Sequence, residues 1–290
     1  MVHDRPSRRQ KQGIMAMRGS IDGDNIIYHY LRDELIERDS SEGRVLIRRM
    51  IHDLSIWLPI ELYRRIPVLL PFVVRDPSCR KSVNKRREEW GSCDSRGYFR
   101  DDNTLVKSIP RRYKIASTNR FYSGRKLAKG FVACHVWRKL RGKSELGSRN
   151  PMSNTFVPNL VWLPRQISKL TDREGSFAQQ YLQALSISIF KPVSLPLNRA
   201  SVARAIWKML DSPKNMTIKG TERRGLNFFE VSDEGIQNRV DDLLTRIATI
   251  KKRGGRKLYC SRYLKTYVKL PERTKISLEN KLSKYASSMV

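Results

Sequence analysis

The chain contains four histidines, His3, His29, His52 and His135, and their surroundings differ. An imidazole exchanges a proton near neutral pH, so each is a candidate for acid–base chemistry. His3 lies in an Arg-rich start without hydrophobic periodicity. His29 and His52 fall inside amphipathic helical patterns, where a packed or half-exposed ring is expected. His135 stands apart. It lies near the end of the apolar run GFVACHVW (130–137). A polar, Gly-containing stretch follows (138–158), then Asn159 at the head of NLVWLP, then RQISKLTD (165–172). Carboxylates of the kind that hold hard cations occur as Asp101 and Asp102 in GYFRDDN (97–103) and as Asp172 at the end of RQISKLTD. Each has a plainer reading. His135 could be a structural ring bonded to a loop carbonyl, Asp101–Asp102 an exposed turn, and Asp172 a helix cap in LTDRE.

Other chemistries find little support. Cys79, Cys93, Cys134 and Cys260 contain no CxxC pair, and their spacing is unlike a zinc ribbon. There is no GxSxG elbow, GxxxxGK[ST] loop or GxGxxG loop. Cys134 and His135 do not make a dyad, because neighbours on a strand point to opposite faces.

The elements around His135 follow from residue type. Segments 130–137 and 156–163 are β-branched or aromatic and bounded by Gly, Pro, Asn and Ser, so both read as strands. Residues 165–172 open a helix. The order is therefore strand, His, loop, Asn, strand, helix. This order resembles the HNH, or ββα-metal, nuclease motif over about 40 residues, 130–172. The resemblance implies that His135 is the general base taking a proton from an attacking water, and that Asn159 orients the loop or the ring. It implies a divalent metal, Mg²⁺ or Mn²⁺, that neutralises charge at phosphorus, with Asp101, Asp102 and Asp172 as its candidate ligands. The chain departs from the family pattern at two places. Cys134 stands where a metal-binding Asp or His usually precedes the base, and the helical third position falls near Ser168, beside Lys169.

Charge supplies the second line of argument. The 290 residues carry 58 Lys+Arg against 28 Asp+Glu, a formal net charge of +30. Residues 101–150 hold 13 basic and 3 acidic side chains, and residues 251–290 hold 12 and 2. Such charge is self-repelling, and a polyanion is the natural compensator through counterion release. The basic side chains flanking His135 are the expected contacts: Arg111, Arg112, Lys114, Arg120, Arg125, Lys126 and Lys129 before it, and Arg138, Lys139, Arg141 and Lys143 after it. Tyr113, Phe121 and Tyr122 are interleaved and could stack on unpaired bases. Nucleic acid, DNA ahead of RNA, is the expected partner, with a homo-dimer possible and no membrane. No apolar run reaches the roughly 18–20 residues of a span. A cytoplasmic, nucleoid-associated or nuclear location follows, and the Arg-rich start leaves organelle import open.

The remaining pattern predicts an α+β fold: a helical N-terminal part, a small central antiparallel sheet with a ββα-like unit, and a helical, basic C-terminal part. The expected organisation is a basic tail (1–24), a helical region (25–75), a central nucleic-acid-handling domain (76–210) and a basic helical region (211–290). Helices are expected over 25–37, 42–56, 60–66, 177–190, 201–210, 232–253 and 277–286. Strands are expected over 105–109, 113–116 and 225–231, besides the two flanking the His135 loop. Residues 75–103 read as a polar loop. Competing functions are a metal-dependent endonuclease, a non-catalytic DNA- or RNA-binding protein with a degenerate core, and a packaging or ribosome-associated protein.

Overall fold

The computed structural model describes residues 29, 31–37, 40–76, 98–101, 106, 109–213, 216–218, 220–251 and 271–289. The expected tail at 1–24, His3, Cys79, Cys93, Cys260 and Asp102 lie outside them. The fold is mixed α+β, as the pattern predicts. Its helices are α1 (Ser41–Leu54), α2 (Ile60–Arg65), α3 (Arg165–Thr171), α4 (Phe177–Phe190), α5 (Leu197–Trp207), α6 (Asp233–Lys251) and α7 (Glu272–Ser287). Its strands are β1 (Ile56–Trp57), β2 (Val73–Arg75), β3 (Phe99–Asp101), β4 (Lys114–Ala116), β5 (Phe131–His135), β6 (Leu160–Pro164) and β7 (Asn227–Glu230).

Five strands form one sheet in the order β4-β7-β1-β6-β5. All its pairs are antiparallel except β1–β7, which is parallel, so the sheet is mixed rather than the antiparallel one expected. Parallel neighbours need a long crossover, and the whole central segment of the chain lies between β1 and β7. β2 and β3 make a separate parallel pair with Arg75 opposite Asp101. These two strands bracket the stretch read as a loop from sequence. Each is only three residues long, and their pairing is invisible to a local pattern.

Periodicity located most helices but not always their faces. α1 is capped by Ser40, whose Oγ accepts from the Gly43 amide at 2.9 Å. It buries Gly43, Ile47 and Ile51, while Val45 and Leu46, which recur at helical spacing with Met50 and Leu54, are 60% and 44% exposed. α5 begins at Leu197 after Pro196, so Ser201 lies inside it and is not its cap. Ser176, not Asp172, caps the helix after the LTDRE run, its Oγ accepting from the Gln179 amide. Ile109, read as the end of a strand, instead begins a 3-10 turn. α6 presents an apolar stripe at helical spacing to the core, with Ile236, Val240, Leu243 and Ile247 all buried.

A single apolar cluster runs from Leu35 to Met289 and contains Trp57, Trp137, Trp162, Phe156, Phe190 and Phe229. The N-terminal, central and C-terminal segments thus share one core and one sheet. No helix among the described residues is long and apolar enough to cross a membrane.

Tyr285 pins α7 to this core. Its buried hydroxyl donates to the Val68 carbonyl at 2.7 Å and accepts from the Val68 amide at 3.0 Å. Burial pushes the phenol well above its ordinary pKa, so it stays neutral and keeps both roles. Tyr285→Phe strands both backbone groups of Val68. It is expected to cost about 2–4 kcal/mol, read as a lowered urea midpoint at unchanged slope. A loss below about 0.5 kcal/mol would show that Val68 finds other partners.

Candidate functional site

The site is built on a strand–loop–strand–helix unit. β5 and β6 pair from Phe131↔Pro164 to His135↔Leu160, and α3 packs against both. Their β-branched and aromatic residues suit a buried pleated surface. Trp137 and Trp162 are 1% and 2% exposed, so both indoles belong to the hydrophobic face as expected. The loop between the strands (136–159) is long and is closed by side chains as well as by backbone bonds such as the Val136 amide on the Asn159 carbonyl at 3.0 Å. Fully buried Asn159 accepts from the Trp137 amide at its Oδ1 (2.8 Å) and donates from Nδ2 to the Ser153 carbonyl (2.8 Å). Asn150 Oδ1 accepts from the Met152 and Ser153 amides, and Ser153 Oγ donates to the Gly147 carbonyl. Gly147 lies so close to the Trp137 carbonyl oxygen that a Cβ there would stand 2.8 Å from it, closer than real side chains approach. Asn159 thus orients the loop and does not touch the imidazole.

The imidazole is oriented by a residue not singled out from sequence, Asn154. His135 Nε2 faces the Asn154 backbone oxygen at 2.9 Å and its Oδ1 at 3.0 Å. The amide cannot be turned over, because Asn154 Nδ2 donates to the Val73 carbonyl on β2 at 2.8 Å. Two acceptors therefore face Nε2, which must carry the proton, and Nδ1 keeps the lone pair. Nδ1 has no hydrogen-bond partner among the described residues.

Burial lowers the His135 pKa to about 4, helped by the Arg75 charge and opposed by the hydrogen bonds to Asn154. The folded protein therefore holds this ring neutral. Between the ordinary value of 6.5 and about 4, the unfolded chain binds a proton that the folded one refuses. The His135 contribution favours folding fully at neutral pH and is lost as the pH falls through that window. Unfolding in urea at about pH 7.5 and about pH 4.5 should show wild type losing roughly 2–3 kcal/mol more than His135→Gln. Equal losses would mean that the ring protonates freely in the fold.

His135 lines a cavity of about 360 Å³ together with Arg75, Arg138, Cys134, Ser148, Ser168, Thr171 and Asp172. Histidine on a strand, serine and aspartate on the following helix and its end, and arginine on β2 thus meet in one place. Asp172 follows α3 and is exposed. Partial desolvation raises its carboxyl pKa, while Arg138 and then Arg75 pull it down. Arg138 donates to the Asp172 backbone carbonyl. Two guanidiniums and one carboxylate leave a net positive cavity, suited to a phosphodiester.

Of the expected metal ligands within the described residues, Asp172 lines this cavity and Asp101 does not. Asp101 is 4% exposed, lies on β3 opposite Arg75, and is not an exposed turn. Asp102 falls outside the described residues. Among the described residues no three His, Cys, Asp or Glu side chains group closely enough to hold a metal ion. Ser168 Oγ is engaged with the Arg165 carbonyl. One carboxylate is at the low end of what Mg²⁺ takes from protein when substrate phosphate supplies the rest.

His52 has the structural role expected of it, bonded to Asp53 at Nδ1 and to the Arg224 carbonyl at Nε2. Arg111, Lys114, Arg120, Arg125, Lys126, Lys129, Arg138, Lys139, Arg141 and Lys143 are all exposed. Arg141 pairs with Asp211 at 3.0 Å. The Arg112 side chain lies outside the description. Of the three interleaved aromatics, Tyr113 and Tyr122 are half-buried against the core, whereas Phe121 is 64% exposed. Arg75, Asn154, Ser148 and Thr171 were not singled out from sequence. The density of turn formers in NPMSNT (150–155) is the one local signal for Asn154.

Compared with known proteins, the chain matches no family model, no curated protein and no solved structure.

Proposed function

We propose that the chain is a nucleic-acid-binding protein whose ββα unit is an HNH-like endonuclease site, hydrolysing phosphodiester bonds with DNA as the preferred substrate. The observation that carries this reading is the His135 ring, locked at Nε2 by Asn154 and bordering a cavity with Arg75, Arg138 and Asp172. In the proposed reaction Nδ1 takes a proton from a water. The water oxygen bonds to phosphorus, and the bond to the leaving sugar oxygen breaks. That oxygen leaves with the electron pair and is protonated from solvent. Arg75 and Arg138 balance the charge on the phosphoryl oxygens. Asn154 holds the tautomer, and Asn159 holds the loop that carries Asn154. Mg²⁺ or Mn²⁺, with Asp172 as its one evident protein ligand, would add charge neutralisation at phosphorus. The donor set fits such an ion only in part, and the steps above use this chain's own groups.

The second reading is a non-catalytic DNA- or RNA-binding protein with a degenerate nuclease core. Cys134 and Ser168 favour it, since neither supplies a hard-cation ligand comparable to His or Asp. The deciding experiment incubates wild type and His135→Ala with supercoiled plasmid and single-stranded RNA, in Mg²⁺, Mn²⁺ or EDTA. Nicking by wild type that is lost in the variant supports the endonuclease. Its dependence on Mg²⁺ or Mn²⁺ decides whether a metal takes part. Salt-sensitive binding without cleavage under any condition supports the second reading.

A further inference from the structure

The segment 111–130 contains seven Lys and Arg and no Asp or Glu. Its centre is a closed hairpin. β4 runs out from Lys114, the chain turns through 117–124, and the return is fixed by the Ile115 amide on the Arg125 carbonyl and the Gly124 amide on the Ile115 carbonyl, both at 2.9 Å. Gly124 takes φ +70°, which lets the turn close. Lys126 comes to lie directly across from Lys114. Lys114 has Glu230 across from it on the other side, on β7, but nothing acidic lies within the hairpin. Like charges facing across a pair destabilise it, and a bound polyanion would relieve that repulsion.

At the tip, Phe121 is 64% exposed, with the Arg120 guanidinium 5.1 Å from its ring centroid. The turn that presents it is rigid. Asn119 Oδ1 accepts from the Phe121 amide, and the Asn119 carbonyl accepts from the Tyr122 and Ser123 amides. Ser117 Oγ accepts from the Asn119 amide and donates to Asn227 in the sheet. The Tyr122 ring packs edge-on against Phe131 at the start of β5. Several hydrogen bonds and one aromatic contact thus hold a phenylalanine largely in water, where it contributes little burial. Such a ring has a π-face to offer, surrounded by cations. The complementary ligand is a base whose own face is open, which a stacked duplex does not present along its length.

From this placement we infer that the 114–126 hairpin is a stacking platform for an unpaired base, with Phe121 as its contact and Lys114, Arg120, Arg125 and Lys126 on the flanking phosphates. The substrate class is then single-stranded or locally opened nucleic acid. The inference rests on the nucleic-acid reading above but not on cleavage. His135 ends the strand that Phe131 begins, roughly 13 Å further along β5, so a strand stacked at the hairpin is within a few nucleotides of the cavity.

The test uses the full chain in EDTA with two labelled probes, an oligothymidylate of about 15 nucleotides and a blunt duplex of similar charge, read by fluorescence anisotropy. Phe121→Ala is expected to weaken single-strand binding about 5- to 100-fold while leaving duplex binding within about twofold. Phe121→Trp should retain the preference, and Phe121→Leu, apolar but without a π-face, should behave like alanine. Because Phe121 is exposed, these variants should unfold at the wild-type urea midpoint. Single-strand affinity unchanged in Phe121→Ala, lost equally for both probes, or restored by Phe121→Leu would overturn the inference alone. Wild type that binds neither probe would overturn the nucleic-acid reading itself.

Discussion

Replacing His135 with alanine should lower the rate of phosphodiester cleavage by roughly 10²–10⁴-fold, the range for loss of a positioned general base. Affinity for nucleic acid should stay near that of wild type, because the cations that flank the ring remain. The wild-type pH profile adds a signature that a merely structural ring would not show. An ordinary histidine is mostly protonated by about pH 5.5, and cleavage that relies on one fades there. With burial and Arg75 holding the ring neutral down to about 4, kcat/KM should persist through that range and fail only below it. Asn154→Ala should move the acid limb lower still, since it removes a hydrogen bond that favours the protonated ring, and should lower kcat, since it frees the ring to rotate. Cleavage unaffected by His135→Ala would remove the ring from the chemistry and return it to a purely structural role.

Asn159→Ala is expected to be among the most destabilising single changes in the chain, at about 2–5 kcal/mol. The side chain is fully buried and serves one donor and one acceptor of the backbone, the Trp137 amide and the Ser153 carbonyl. Removing it leaves both unpaired in a buried region, at about 1–3 kcal/mol each. Asn159→Asp should not rescue, because a carboxylate accepts from Trp137 but cannot donate to Ser153, and it brings a buried charge. Urea unfolding at about pH 7.5 measures this directly. A loss under about 1 kcal/mol in Asn159→Ala would mean that the 136–159 loop is held by its other bonds. Partial stability would still be informative: a folded Asn159→Ala with reduced cleavage and normal binding would tie the loop's geometry to the reaction.

Much of this arrangement was legible in local pattern. The two strands around the loop, the helix behind them and the His–Asn pair were each visible as short runs of a distinct period. Burial of Trp137 and Trp162 followed from the same runs. Where local pattern misled, the reason is physical. Val45 and Leu46 fit a helical stripe as well as Ile47 and Ile51 do, and only the neighbours of α1 decide which face is covered. Tyr113 and Tyr122 sit among cations exactly as Phe121 does in sequence, yet packing draws two of the three inward. β2 and β3 were missed because three residues carry no period, and because their partners are about two dozen residues apart.

By itself, the sequence determined the class of fold, the excess of positive charge and its concentration around His135, and the strand–loop–strand–helix order. These depend on residue types and near-neighbour spacing, which are local quantities. Tertiary structure alone decided which groups meet at the imidazole. Arg75 reaches the cavity from β2, and Val73 of the same strand turns the Asn154 amide that in turn fixes the His135 tautomer. It also decided that Asp101 stays on β3 while Asp172 joins the cavity, and that Phe121 alone of the three interleaved aromatics is left mostly in water. Each outcome hangs on a contact between segments far apart in the chain, and such contacts come into being only when the core and the sheet have formed.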